Sequence, residues 1–116
     1  MVMTMQATDQ QLEGDVGPLA SILPCSESRI LDHMIVMKAF DYSITDIANM
    51  SGVGIKTTLR IVHRLESDGV LLRTRNVGRA IMLKINPDSE RAKTLEKLSL
   101  QVARERIMDA TSSNAQ

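Results

Sequence analysis

Residues 44–69, ITDIANMSGVGIKTTLRIVHRLESDG, restrict the folds open to this chain more than any other stretch. Ile44, Ile47 and Ala48 share one face of a short helix running through Met50, for which Ser43 or Thr45 is the expected N-cap. Ser51-Gly52-Val53-Gly54 then forms a turn, because glycine adopts the positive φ that a sharp reversal between helices needs. A longer helix follows from Ile55 to about Asp68, and Gly69 stands where a left-handed residue ends a helix. Ile55, Thr58, Ile61, Val62 and Leu65 line one side of it. Lys56, Arg60 and Arg64 recur every four residues and make a row of cations on another. Two helices joined this tightly have to close their apolar faces on a common core.

The flanking segments supply the rest of that core. Upstream, Ser26 is expected to cap a helix running to about Phe40, with Ile30, Leu31, Met34, Ile35 and Met37 at three- and four-residue spacing. Before it, the LASIL segment after Gly17-Pro18 reads as a short helix or an extended arm closed by Pro24, and Asp41-Tyr42-Ser43 reads as a loop. Downstream, residues 70–74 and 80–85 are two short β-prone runs joined by Arg75-Asn76-Val77-Gly78-Arg79, a hairpin. Ile81, Leu83 and Ile85 alternate with Met82 and Lys84, as in a half-buried strand. Pro87 stops the second strand and Asp88 can cap a last helix extending to about Asp109. Its stripe of Ala92, Leu95, Leu98, Val102, Ala103 and Ile107 is wider than a solvated helix carries. Phe40 and Tyr42 are the only aromatic residues, which favours helices over an all-β sandwich. The expected fold class is mainly α with a small β-hairpin and a long C-terminal helix.

The order of elements and its residue detail resemble the winged helix-turn-helix of MarR-, IclR- and ArsR-like transcription regulators. The resemblance rests on Ile47-Ala48 in the first motif helix, the Ser51-Gly52-Val53 turn, and the second helix from Thr58 to Gly69 with its Leu65-Glu66. It continues through Gly78-Arg79 and Asn86-Pro87-Asp88, similar to the wing and exit of small archaeal winged-helix regulators, and covers about residues 26–108. Gly54-Ile55 departs from the families, which usually open the recognition helix with Ser or another polar residue; Met82-Leu83 departs where the archaeal proteins often show Tyr. The resemblance implies a recognition helix at about 55–68 in the major groove of double-stranded DNA and a wing at about 70–85 on the minor groove or backbone.

The residue types suit that task. Lys56, Thr57, Arg60 and Arg64 can reach base edges, Arg75 and Arg79 can enter a minor groove or grip phosphate, and Thr45 can add a phosphate contact at a helix start. Formal net charge is zero, yet residues 29–86 hold nine Lys/Arg against five Asp/Glu, while residues 1–28 hold four acidic residues and no Lys or Arg. A basic body sits behind an acidic leader. The expected organisation is a disordered leader over 1–16, the DNA-binding domain over 17–86, a dimerisation helix over 87–109 and a disordered tail over 110–116. Leu95, Leu98 and Val102 are the expected dimer contacts.

Other functions find less support. Cys25, His33 and His63 share no metal-ligand spacing, Asp32 and His33 are adjacent and point about 100° apart on a helix, and no phosphate loop or nucleophile motif occurs. No catalytic residue, metal or cofactor is expected, and an enzyme is disfavoured. A small-molecule effector is not expected either, because only the terminal helices remain outside the DNA-binding body. One cysteine and no signal or membrane-spanning pattern point to the cytoplasm. The alternatives are a winged-helix protein-interaction module, which should show an apolar or acidic recognition helix, and a sequence-tolerant nucleoid or plasmid-partition protein, which should show a clear excess of Lys and Arg.

Overall fold

The computed structural model describes residues 16–115, with side chains described through residue 110. The leader expected over 1–16 lies outside the described residues apart from Val16. The elements in chain order are α1 (Pro18–Ile22), α2 (Ser26–Val36), β1 (Tyr42–Ser43), α3 (Ile44–Ser51), α4 (Ile55–Ser67), β2 (Leu71–Val77), β3 (Ala80–Ile85) and α5 (Glu90–Ala115). Helices α2, α3 and α4 close around Ile30, Met34, Ile47 and Ile61, with Leu71 and Leu83 of the sheet beneath them, all at most 2% exposed.

Caps explain why the helices begin and end where they do. Ser43 is the N-cap of α3: its Oγ accepts from the Asp46 N–H at 3.1 Å, and the Asp46 carboxylate accepts from the Ser43 N–H at 3.2 Å, a reciprocal capping box. Gly52 ends α3 at φ 69°, and two buried hydroxyls brace the turn, Ser51 Oγ donating to Ile47 O at 2.7 Å and Thr58 Oγ1 to Val53 O at 3.4 Å. Gly69, at φ 79°, closes α4 in a Schellman arrangement: the Val70 N–H donates to Leu65 O and the Gly69 N–H to Glu66 O. Val70 is then buried and enters the sheet.

Both ends of α2 and both ends of α5 differ from the sequence reading. α2 starts at Ser26 with Cys25 as its N-cap and stops at Val36, short of Phe40. Ser89, not Asp88, caps α5, its Oγ accepting from the Ala92 N–H at 3.1 Å. α5 continues as helix to Ala115, through residues expected to form a tail. The supposed loop at Tyr42-Ser43 is a strand that pairs antiparallel with β3, so the sheet has three strands in the order β1-β3-β2.

The short α1 is held from outside itself. No side chain of its own caps it; instead the buried Asp32 carboxylate of α2 accepts from the Leu19 N–H at 2.9 Å and the Ala20 N–H at 3.0 Å. Gly17 permits this approach, since a Cβ there would lie 2.4 Å from Asp32 Oδ2. α1 packs on α2 and α5, and Arg106 Nη1 of α5 donates to Val16 O at 3.1 Å.

Candidate nucleic-acid interface

Because 3.6 residues make a turn, the buried Thr58, Ile61 and Val62 fix α4 on the core and turn Lys56, Leu59, Arg60, His63 and Arg64 outward. Lys56 and Arg60 are exposed, and their side chains have no ion pair or hydrogen bond among the described residues. Arg64 is exposed too, with Nη1 at 4.0 Å from Glu27 Oε2 of α2, a contact too long to neutralise it firmly. Thr57 is only half-exposed beside this row, and Thr45 is exposed in the first turn of α3. The sequence-derived row of three cations therefore lies on one accessible face.

Ile55 does not join the buried side of α4 as its spacing suggested: it is 51% exposed, and Leu59, which the sequence reading did not single out, is 43% exposed. Ile55 is the first residue of the helix and stands past the edge of the core. The signal for Leu59 was available, since it lies one turn after Ile55 and outside the run of buried positions.

The hairpin is longer and tighter than expected. Its strands reach Val77 and Ala80, which pair with each other, leaving only Gly78-Arg79 as the turn, with Gly78 at φ 61° in the first central position as in a type II′ turn. Arg79 is exposed at the tip and has no intramolecular partner among the described residues. Arg75 is engaged. Between Arg73↔Leu83 and Asn76↔Ile81 the register slips, so Thr74 and Arg75 stand opposite Met82 alone. A regular strand sends adjacent side chains to opposite faces; this bulge brings both to Asp41 of the loop before β1. Arg75 Nε donates to Asp41 Oδ2 at 3.0 Å and Nη2 to Oδ1 at 3.2 Å, and the Thr74 hydroxyl donates to Oδ2. The Arg75 guanidinium, then the Thr74 hydroxyl, hold the Asp41 carboxyl down to about 2, so it is ionised at neutral pH.

α5 presents two sides. Ala92, Ser99 and Val102 are buried, and Leu95 and Leu98 are half-buried against the core of the same chain. The three residues expected to meet a partner thus pack first on their own body. Leu100, Ile107 and Met108 are 53%, 66% and 68% exposed, so Ile107 does not belong to the inward stripe. A cleft of about 630 Å³ opens between α1, α2 and α3 beside Arg29, Asp32, His33 and Asn49.

A three-helix core with a helix-turn-helix, a tight β-hairpin after the second motif helix and a long final helix is a winged helix-turn-helix, mainly α with a small antiparallel sheet. Solved structures of MarR-type transcriptional regulators share it. The MarR family regulator SPO1453 from Silicibacter pomeroyi superposes with a TM-score of 0.63 at 16% identity, over 97% of this chain and 79% of that one. Regulator Tm0710 from Thermotoga maritima gives 0.58 at 20% identity over 99% and 78%. NadR in complex with 4-hydroxyphenylacetate gives 0.60 at 20% identity over 99% and 79%. By sequence, no family model and no curated protein matches the chain.

Proposed function

We propose that this chain is a sequence-specific, DNA-binding transcription regulator that acts as a homodimer, with α4 in the major groove and the β2–β3 wing on the minor groove or backbone. The observation that carries the reading is the accessible cationic face of α4, Lys56 and Arg60, together with the exposed Arg79 at the wing tip, on a winged helix-turn-helix. Arg64, Thr57 and Thr45 extend the same interface, while Arg75 contributes by shaping the wing through Asp41. An enzymatic role has no support in this arrangement, and an α4 with such a basic face argues against a pure protein-interaction module.

Arg60 and Arg79 should separate recognition from grip. Arg60→Ala is expected to cost about 1–3 kcal/mol on the best site and much less on random duplex, because an arginine bidentate to guanine discriminates by that amount. Arg79→Ala should weaken all sequences evenly and flatten the salt dependence. Fluorescence anisotropy on a selected site and a scrambled duplex measures both; equal effects of the two substitutions on every sequence would remove the division of labour.

The dimer would form through α5. Its inward residues Leu95, Leu98 and Val102 anchor the helix to its own body, and the exposed Leu100, Ile107 and Met108 offer the surface that a two-fold mate would cover. The two recognition helices would then meet half-sites about 34 Å apart or a small multiple of it. Leu100→Glu changes an exposed position, so it should leave folding intact while shifting sedimentation from dimer to monomer at micromolar concentration. An intact chain that already sediments as a monomer ends the paired half-site reading.

Regulation without a small-molecule effector remains the reading for this chain. The cleft between α1, α2 and α3 falls in the size range of ligand sites, but both Asp32 oxygens are engaged by α1 and Arg29 Nη2 donates to Gly52 O at 3.2 Å. That leaves the His33 and Asn49 side chains as the polar lining with no polar contact among the described residues.

A further inference from the structure

We infer that Ile55 and Leu59 read thymine methyl groups, so that the site bound by α4 carries thymine close to the guanine contacted by Arg60 or Lys56. The inference rests on the proposed entry of α4 into the major groove and names what the first two helical turns recognise there. At about 100° per residue, Ile55 and Leu59 form one edge of the outward face of α4, Lys56 and Arg60 the adjoining edge, and His63 lies between them. The two apolar side chains are 51% and 43% exposed, and the cations beside them have no intramolecular partners among the described residues. Positive charge draws this face to a polyanion, which sets the apolar pair against the floor of the groove.

Of the four standard bases, only thymine displays an apolar group there, its C5-methyl; guanine offers the paired acceptors suited to Arg or Lys. The N-terminal residues of a recognition helix are the ones that reach base edges, and Ile55 and Leu59 occupy its first and second turns. A polar opening residue would hydrogen-bond to either base type. An isoleucine there gains only where it loses water against another apolar group.

The test uses the full chain and its best duplex from a selection on random DNA. Each thymine in a half-site is replaced in turn by deoxyuridine, which pairs identically and lacks only the methyl. At one or two positions the replacement should weaken binding about fourfold, the worth of one buried methyl-sized group. At those positions Leu59→Ala should bind the thymine and uracil duplexes equally, with Ile55→Ala doing so at the neighbouring one; unchanged thermal unfolding of each variant excludes a folding effect. If no uracil replacement weakens binding while Arg60→Ala still does, the thymine reading falls and the groove placement of α4 stands. A chain that selects no sequence and binds no duplex overturns both, and leaves Ile55 and Leu59 as a protein-contact face.

Discussion

Raising salt from about 50 mM to about 200 mM should weaken duplex binding about a thousandfold, with log K falling against log salt at a slope near −5. The size of the slope follows from which cations are uncommitted. Among the described residues the side chains of Lys56, Arg60 and Arg79 have no partner, whereas Arg75 is clamped by Asp41 and Arg73 by Glu66, and Arg64 lies within 4.0 Å of Glu27. Whether it meets a phosphate or a base edge, a cation held against the duplex displaces counterions, so three in each protomer act as roughly six neutralised phosphates for a dimer. If every exposed arginine on the face and wing took part, the dependence would be much steeper. Asp41→Asn removes the carboxylate that holds Arg75, and should steepen the slope by about 2 in the dimer as one more cation per protomer becomes available. An anisotropy series over salt, with and without this substitution, reads both numbers. A slope near zero would sink the DNA-binding proposal.

Asp32→Ala should lower thermal stability by about 3 kcal/mol, a fall of about 15 °C in Tm for a domain of this size. Asp32 is 5% exposed and accepts two backbone N–H groups from the first turn of α1, bonds strengthened by its charge. α1 has five residues and no cap of its own, too short to persist without tertiary support. Losing the carboxylate strands the Leu19 and Ala20 N–H groups and releases Leu19, now 1% exposed, from the core. Gly17→Ala should act in the same direction, because its new Cβ would press into the Asp32 side chain at 2.4–2.8 Å. Circular dichroism melts of the two variants measure the effect; an Asp32→Ala protein melting within a few degrees of the parent would mean that α1 is held by packing alone.

Local chemistry made the central motif legible. Ser43, Gly52 and Gly69 each act within a few residues of their own position, so the helix-turn-helix could be read from spacing and turn residues, and with it the face carrying Lys56, Arg60 and Arg64. What escaped depends on partners far along the chain. β1 is two residues long, too short for any periodicity, and exists because Tyr42 and Ser43 pair with Leu83 and Met82. Arg75 meets Asp41 across 34 residues, and the Asp32 contacts with α1 span 12 and 13. From its width alone, the apolar stripe of α5 points to a partner. In part it closes its own body, by covering α1 and by placing Ala92, Leu95 and Leu98 against the core. Helix beyond Asp109 is not legible in the sequence because the small polar residues there have low helix propensity.

The wing can be regarded as a cantilever with a built-in root. β3 is gripped on both sides, by β1 and by β2, and the Asp41 clamp fastens the β2 bulge to the loop that leads into α3. The root therefore turns with the helix-turn-helix as one piece, and the arm beyond Asn76 is the part that sets how far it reaches. Adding two residues to each strand next to Gly78-Arg79 would lengthen the arm by about 6.8 Å and keep the tip facing the same way, because side chains alternate faces with a period of two. Reach along the duplex and aim toward it are thus separately adjustable, the first by strand length at the tip and the second by a single carboxylate at the base.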